Sequence, residues 1–333
     1  MVRLKDIAKE CNLSVSQVSR ALNGYSDVNA ETKKQVQEVA LKLGYVKNIN
    51  AQILATNSSN QIAIIINGID DYQNTEPTIA LDLMRGVNKY SKQIGYETVV
   101  YLNEDTALSY LNFCMQRGLM GVILYGADYE RNNFKEIIAS DFPCVVIDIP
   151  IEGKNKGCVI VNNIYYSTQA VKQMLGKGKR NIAMLSGHGL SIVEEERRIG
   201  YEMALKSAGR KVRNEWIVKA GFDLEKARIA TLALLKEYPE IDAIFCANDQ
   251  MALGAIDALN SLNKTIPGDV SIFGFDGIVL TKYSTPPLST IKQDNLQKGY
   301  SAAKLLCNIL KGNKSEQTIV VPCEMIIRES SAS

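Results

Sequence analysis

The sequence of 333 residues has little of the chemistry that enzymes and metal proteins use. It contains one histidine, His188, and its seven cysteines form no CxxC pair, so a metal site of clustered His and Cys is not expected. It also lacks the GxSxG, HExxH and GxGxxG motifs and a Walker-type phosphate loop. We therefore expect neither an enzyme nor a cofactor, and we interpret His188 as a solvated loop residue.

Long hydrophobic runs are also missing. No apolar run reaches the roughly 18 residues that a membrane-spanning helix needs, and the acidic Asp6 and Glu10 are atypical of a signal peptide. The cysteines are odd in number and most lie in apolar runs, which is typical of reduced, buried thiols. These features predict a cytoplasmic protein.

Charge of one sign is not in excess, because the formal net charge at pH 7 is only +2. The first 60 residues nevertheless contain eight Lys and Arg against five Asp and Glu. A mildly basic N-terminal segment on a nearly neutral body is consistent with nucleic-acid phosphates contacting that segment alone.

Three helices are predicted in the first 45 residues. Apolar residues recur at helical spacing in LKDIAKEC (4–11) and in VSQVSRAL (15–22), and Ser14 is a suitable N-cap for the second helix. A third helix should follow the N-cap Asn29 and stop at Gly44. Two short helices joined by a tight turn match a helix-turn-helix unit, and the third helix would cover their apolar faces.

The outer face of the second predicted helix carries short or hydrogen-bonding side chains. Such a face suits the major groove of DNA, where Gln and Arg can read base edges. An ordinary solvated helix pair is the alternative interpretation. The residues of this face are Val15, Ser16, Gln17, Ser19 and Arg20.

From residue 61 onward, strand-like apolar runs such as QIAIIIN (61–67) alternate with helical segments. This alternation predicts an α/β fold of βαβ units, and the number of strands predicts two similar halves with parallel sheets. Ligands bind beyond the carboxyl ends of such strands, although Asp249 could instead cap the helix that it opens. The polar residues at these ends are Asn67, Asp148, Asn162, Asn248, Asp249 and Asp276.

Nearly the whole chain resembles the lactose-repressor/galactose-repressor family of bacterial transcription regulators. The resemblance rests on the order and spacing of LKDIAKECNLSVSQVSRALNG, AQILA, RRIGYEMAL, AGFD, AIFCANDQMALGAIDAL, VSIFGFDG and PPLSTIKQD. It implies a repressor that binds a palindromic operator as a homodimer. It also implies a body like a periplasmic sugar-binding protein, with two doubly wound parallel sheets that close on a small molecule.

The resemblance also implies a domain organisation. A helix-turn-helix head would occupy residues 1–47, and a hinge helix with a linker would occupy residues 48–60. The N-subdomain of the body would comprise residues 61–160 plus 291–317, and the C-subdomain residues 161–290 plus 318–330.

The resemblance implies DNA-binding roles for residues of the head. The base-reading helix would use Val15, Ser16 and Arg20, and Leu54 of the hinge would enter the minor groove as a wedge between base pairs. The family usually has Pro-Asn where this sequence has Lys47-Asn48, and often a basic residue where it has Gln52. The full set of implied DNA-binding residues is Val15, Ser16, Gln17, Arg20, Asn23, Ala51 and Leu54.

In the body, the resemblance implies that Arg197 grips the effector and that Phe222 stacks on its ring. Val193 stands where the family often has a small polar residue. The effector is expected to be a sugar or sugar derivative, and the alternative is a non-sugar ligand such as a purine or a phosphocarrier protein as co-repressor. The implied pocket residues are Arg197, Phe222, Asn248, Asp276, Gln293, Asp148, Tyr125 and Ser191.

Overall fold

The structure is a computed structural model that describes residues 2–22, 27–45, 60–68, 76–103, 109–187, 191–313 and 316–332. The chain divides into two compact units, Met1–Ser59 and Asn60–Ser333. Most of the predicted hinge and linker, including Ala51 and Leu54, lies outside the described residues, as do Asn23 and His188.

Within the described residues, the structure contains no helix that is both long and apolar enough to cross a membrane.

The first unit contains the three predicted helices, α1 (Leu4–Cys11), α2 (Val15–Leu22) and α3 (Ala30–Lys42). Ser14 is the N-cap of α2, as predicted. Its Oγ accepts a hydrogen bond from the Gln17 backbone N–H at 3.1 Å, and Gln17 Oε1 accepts one from the Ser14 N–H at 2.9 Å. This reciprocal pair is a capping box. Asn29 caps α3 by accepting from the Thr32 N–H at 2.7 Å. The helices enclose a small core of Ile7, Ala8, Cys11, Val18, Ala21, Val36 and Ala40.

The second unit contains two lobes, each built on one sheet. The strands of the N-lobe (60–160 and 295–320) are β1 (Gln61–Asn67), β2 (Glu97–Asn103), β3 (Gly121–Tyr125), β4 (Cys144–Ile147), β5 (Lys156–Ile160) and β11 (Thr318–Val320). They form a sheet that is parallel throughout, in the order β11-β5-β4-β3-β1-β2. Its helices are α4 (Pro77–Gln93), α5 (Tyr110–Gln116), α6 (Asn132–Ala139) and α11 (Asn295–Leu310).

The strands of the C-lobe (163–293 and 323–332) are β6 (Ile182–Ser186), β7 (Ile217–Lys219), β8 (Ala243–Cys246), β9 (Ser271–Asp276), β10 (Ser289–Gln293) and β12 (Cys323–Ile326). Their order, β12-β10-β9-β8-β6-β7, is equivalent to that of the N-lobe, and within this sheet the edge pair β10–β12 is antiparallel. Its helices are α7 (Asn163–Gly176), α8 (Ile192–Ser207), α9 (Leu224–Glu237) and α10 (Asp249–Ser261), with short 3-10 turns at Asn214–Trp216, Val279–Lys282 and Glu329–Ser331.

Strand β1 is apolar from Ile62 to Ile66 because both faces of the sheet are covered there. In β1, Ile62, Ile64 and Ile66 pack into one core cluster, while Ala63 and Ile65 pack into the cluster on the opposite face. Alternation of side chains across a strand therefore requires an apolar residue at every position. The described cysteines are free thiols, and all but Cys323 are buried.

The chain crosses between the lobes three times. It passes into the C-lobe after β5, returns to the N-lobe at Asp294, and passes back at residues 321–322. The last two crossings lie a few residues beyond the predicted boundaries at 291 and 317. The reason is hydrogen bonding, because β10 stays paired through Gln293 with β12, and β11 pairs with β5 through Val320.

Two glycines let α4 and α11 pack with their backbones in direct contact. A Cβ atom at Gly86 would lie 2.0 Å from the carbonyl oxygen of Leu296, and one at Gly299 would lie 2.1 Å from that of Leu83. Backbone atoms cannot move aside as a flexible side chain can, so any larger residue must separate the two helices.

We therefore expect Gly86→Ala to lower the stability of the body by about 2 kcal/mol, as overpacking substitutions do. Gly176→Ala is the matched control, because a Cβ there meets no atom within 4 Å. That variant should be neutral or slightly stabilised, since alanine favours helix more than glycine does. Thermal unfolding of both variants tests this, and an equal midpoint for the two would refute the close helix contact.

Candidate functional site

A cavity of about 400 Å³ lies between the two lobes, at the carboxyl ends of their strands. The structure brings all eight predicted pocket residues together in its lining. From the N-lobe come Tyr125 and Asp148, and from the C-lobe come Ser191, Arg197, Phe222, Asn248, Asp276 and Gln293. Val193, the position where the sequence departs from the family, also lines this cavity.

The guanidinium of Arg197 is held rigidly at the wall of the cavity, with the residue only 4% exposed. Its Nε donates to Asn163 Oδ1 at 3.1 Å, Nη1 donates to the Ala247 carbonyl, and Nη2 donates to Asp276 Oδ1 at 3.1 Å. The guanidinium carbon also lies 3.7 Å from the centre of the Phe275 ring. A planar donor fixed in this way can present its fork to a ligand with little loss of side-chain entropy.

Asp276 and Asp148 occupy equivalent places, since each stands at the end of the third strand in the order of its sheet. Both have left-handed backbone conformations, with φ of 110° and 67°. Non-glycine residues rarely adopt such conformations, and strained residues concentrate at functional sites. Burial raises the pKa of the Asp276 carboxyl above its ordinary value, and the neighbouring Arg197 partly offsets that rise.

Gln293 and Lys298 join these two carboxylates. Gln293 Nε2 donates to Asp276 Oδ1 at 2.8 Å, and Gln293 Oε1 accepts from Lys298 Nζ at 3.0 Å. Lys298 Nζ also lies 2.7 Å from the Asp148 carboxylate. The sequence reasoning missed Lys298. A signal was present, because Lys298 stands four residues before Ala302 in a helix whose buried face also includes Leu305.

Aromatic groups face the cavity from both lobes. Phe222, with φ of 62°, places its ring against Gly187, where an added Cβ would lie 2.1 Å from the ring atom Cζ. Tyr125 reaches the cavity from the N-lobe, and burial raises the pKa of its phenol well above the ordinary value. Rings of this kind suit the apolar faces of a sugar or another flat ligand.

The adjacent residues Asn248 and Asp249 have different structural roles. Asn248 caps α10, accepting from the Met251 N–H at 2.9 Å, so the expectation that Asp249 could be this cap is wrong. Asp249 is instead fully buried and accepts from the backbone N–H groups of Gly277 and Ile278 at 2.6 and 2.9 Å. It also accepts from Thr290 Oγ1 at 2.6 Å. Asp249 therefore fixes the loop after β9 without reaching the cavity.

The other two strand-end candidates also lie outside the cavity lining. Asn67 donates to the Tyr125 carbonyl and accepts from the Tyr110 hydroxyl, both at 2.9 Å. Asn162 caps α7, accepting from the Tyr165 N–H at 2.9 Å. Their position at strand ends is thus explained by local structure.

On the first unit, the predicted outer face of α2 is exposed. Val15, Ser16, Gln17 and Arg20 are solvent-accessible, whereas Val18 of the same helix is fully buried. Arg20 forms an ion pair with Asp27. This places an arginine and short polar side chains on one helical face, as major-groove recognition requires.

Residues 3–48 match the family model described as "Bacterial regulatory proteins, lacI family", and residues 171–331 match the model "Periplasmic binding protein-like domain". The chain is 30% identical to the probable HTH-type transcriptional repressor ExuR of Bacillus subtilis (strain 168) and 29% identical to the ribose operon repressor of Haemophilus influenzae. Each alignment covers 99% of this chain and 98% of the relative.

The fold is similar to a crystal structure of the lac repressor dimer bound to operator and the anti-inducer ONPF, with a TM-score of 0.85 and 22% sequence identity. The match covers 100% of this chain and 99% of that one. A helix-turn-helix unit and a two-lobed, periplasmic-binding-protein-like body define a DNA-binding transcriptional regulator. The chain belongs to the lacI family of bacterial regulatory proteins.

Proposed function

We propose that this regulator represses transcription by binding a palindromic operator as a homodimer, and that a small molecule in the cavity controls that binding. The proposed effector is a sugar or sugar derivative. The observation that carries the proposal is the convergence of Arg197, Asp276, Asp148 and Phe222 on one cavity between two lobes. Hydrogen-bonding groups beside an aromatic ring are the usual chemistry of a sugar site.

The relatives support the same proposal. One of them is named as a ribose operon repressor, and the structure with a similar fold is a dimer bound to operator and an anti-inducer. Dimer formation also agrees with the surface of the C-lobe, where Val279, Leu280 and Tyr283 are 59%, 58% and 77% exposed. Adjacent exposed apolar residues of this kind are typical of an interaction surface.

In this proposal, Val15, Ser16, Gln17, Arg20 and Asn23 read the major groove, and Ala51 and Leu54 enter the minor groove. Two heads related by two-fold symmetry would double a short recognition site into a palindrome. The protein would act in the bacterial cytoplasm, where its DNA lies.

The proposal is tested by selecting DNA from a random library with the full-length protein and measuring binding to the selected sequence by fluorescence anisotropy. We expect a palindromic site, a dimer in sedimentation, and a change in affinity with one member of a panel of sugars, sugar phosphates and purines. A purine response would replace the sugar assignment. Selected DNA without two-fold symmetry would refute the operator model, and a response only to a phosphocarrier protein would refute the small-molecule effector.

A further inference from the structure

Lys298 is a fully buried cation next to the cavity. The residue is 0% exposed, and its ammonium is 2.7 Å from the Asp148 carboxylate and 3.0 Å from Gln293 Oε1. An ammonium group is costly to bury unless it is paired and hydrogen-bonded. This pairing offsets that cost and fixes the orientation of Asp148.

The same contacts connect the two lobes. Lys298 and Asp148 belong to the N-lobe, whereas Gln293 ends β10 in the C-lobe. Gln293 donates in turn to Asp276, which accepts from Arg197. A continuous series of polar contacts therefore runs from one carboxylate to the other, and each carboxylate is paired with one cation.

This pairing determines the charge that a ligand meets. Among the described residues that line the cavity, Arg197 is the only cation, and it is already bonded to Asp276. Acidic Glu76 and Asp128 line the same cavity. The N-termini of α4 and α10 are capped by the lining residues Glu76 and Asn248.

A carboxylate or phosphate on the ligand would have to be desolvated next to the lining residues Glu76 and Asp128, at a large energetic cost.

We propose that Lys298 is a specificity-determining residue, which orients Asp148 and cancels its charge so that the cavity selects uncharged, hydroxyl-rich ligands over carboxylated or phosphorylated ones. This inference rests on the proposed function, in which the cavity holds the effector. Ligand hydroxyls donate to the carboxylate oxygens of Asp148 and Asp276, and the buried pairing keeps both groups ready as acceptors.

The pairing itself is tested without a ligand, by a double-mutant cycle on the full-length protein. Lys298→Met removes the cation but keeps a similar length, and Asp148→Asn removes the opposing charge. We expect Lys298→Met to raise the unfolding equilibrium constant at least tenfold in urea, and the double variant to recover most of that loss. Lys304→Met in the same helix is the control, because Lys304 is exposed and should show no coupling to Asp148→Asn.

Recovery in the double variant distinguishes charge pairing from packing, because the lysine stem is lost equally in both backgrounds. A Lys298→Met protein that folds only when Asp148→Asn is added would also count as recovery. Additive losses from the two substitutions would show that Lys298 and Asp148 are not coupled and would overturn the inference.

Ligand class is tested on the unmodified protein by thermal shift at constant ionic strength. The probes are D-glucose with D-glucuronate and D-glucose 6-phosphate, D-galactose with D-galacturonate, and D-ribose with D-ribose 5-phosphate. We expect only the neutral sugars to raise the unfolding temperature. In the Lys298→Met variant, we expect the affinity for the same neutral sugar to be at least tenfold lower. Tighter binding of any anionic member than of its neutral counterpart would overturn the inference. If no probe raises the unfolding temperature, the proposed sugar effector is refuted. The double-mutant cycle would still decide whether Lys298 is paired with Asp148.

Discussion

Arg197→Ala should abolish the effector response and leave operator binding within about twofold of wild type. The guanidinium is buried, and its three hydrogen bonds include the one to Asp276. Losing a charged hydrogen-bonding partner costs about 1.5 to 3 kcal/mol, or about ten- to a hundredfold in ligand affinity. The variant also leaves Asp276 without its cation inside the cavity wall, which further weakens the site.

Arg198→Ala is the matched control for this measurement. Arg198 is the next residue of α8, but its side chain is 43% exposed and pairs with Glu202 at 3.4 Å. We expect its effector response to equal that of wild type. Titration of the operator complex with the identified effector compares the two variants. An Arg197→Ala protein that responds at the wild-type effector concentration would show that the cavity assignment is wrong.

Of these substitutions, Arg20→Ala should cause the largest loss of sequence-specific DNA binding. Arg20 is exposed on α2, so its removal should not disturb the core of the first unit. A bidentate arginine–guanine contact contributes about 1 to 3 kcal/mol of discrimination. A dimer carries two such contacts, and the expected loss is therefore about 2 to 6 kcal/mol, or more than about thirtyfold in affinity.

Binding to scrambled DNA should change much less, because it depends mainly on phosphate contacts. Lys42→Ala, at the exposed end of α3, removes a charge from a different helix. Any loss that it causes should be equal on operator and scrambled DNA. Competition binding at fixed salt measures both variants, and an equal loss on both DNAs for Arg20→Ala would exclude base reading by this arginine.

The strands and most of the cavity could be predicted because they follow from simple physical rules. The run IAIII (62–66) is apolar at every position, as a strand buried on both faces requires. Ligands bind beyond the carboxyl ends of parallel strands, so the strand-end residues Asp148, Asn248 and Asp276 were candidates for the cavity. Asn67, Asn162 and Asp249 were candidates on the same ground but lie outside its lining. The remaining cavity residues came from the family resemblance, because Ser191 and Gln293 carry no comparable signal of their own.

The errors concern residues whose type is compatible with more than one structural role. Asn248 and Asp249 are adjacent and both can cap a helix, but only the three-dimensional position of Gly277 and Thr290 shows that Asp249 is used elsewhere. Lys298 was missed because a lysine is normally exposed, and its partner Asp148 is 150 positions away in the chain. Local sequence patterns contain no information about such distant pairing.

The three chain crossings between the lobes restrict how the body can deform. Two bodies joined by one flexible strand could twist, slide and tilt independently. Three side-by-side connections, after β5, at Asp294 and at residues 321–322, oppose twisting and sliding and leave bending as the softest motion. We therefore expect opening of the cavity to follow mainly this one bending motion. Ligands of different shape that bind in the cavity would then all change the same angle between the lobes.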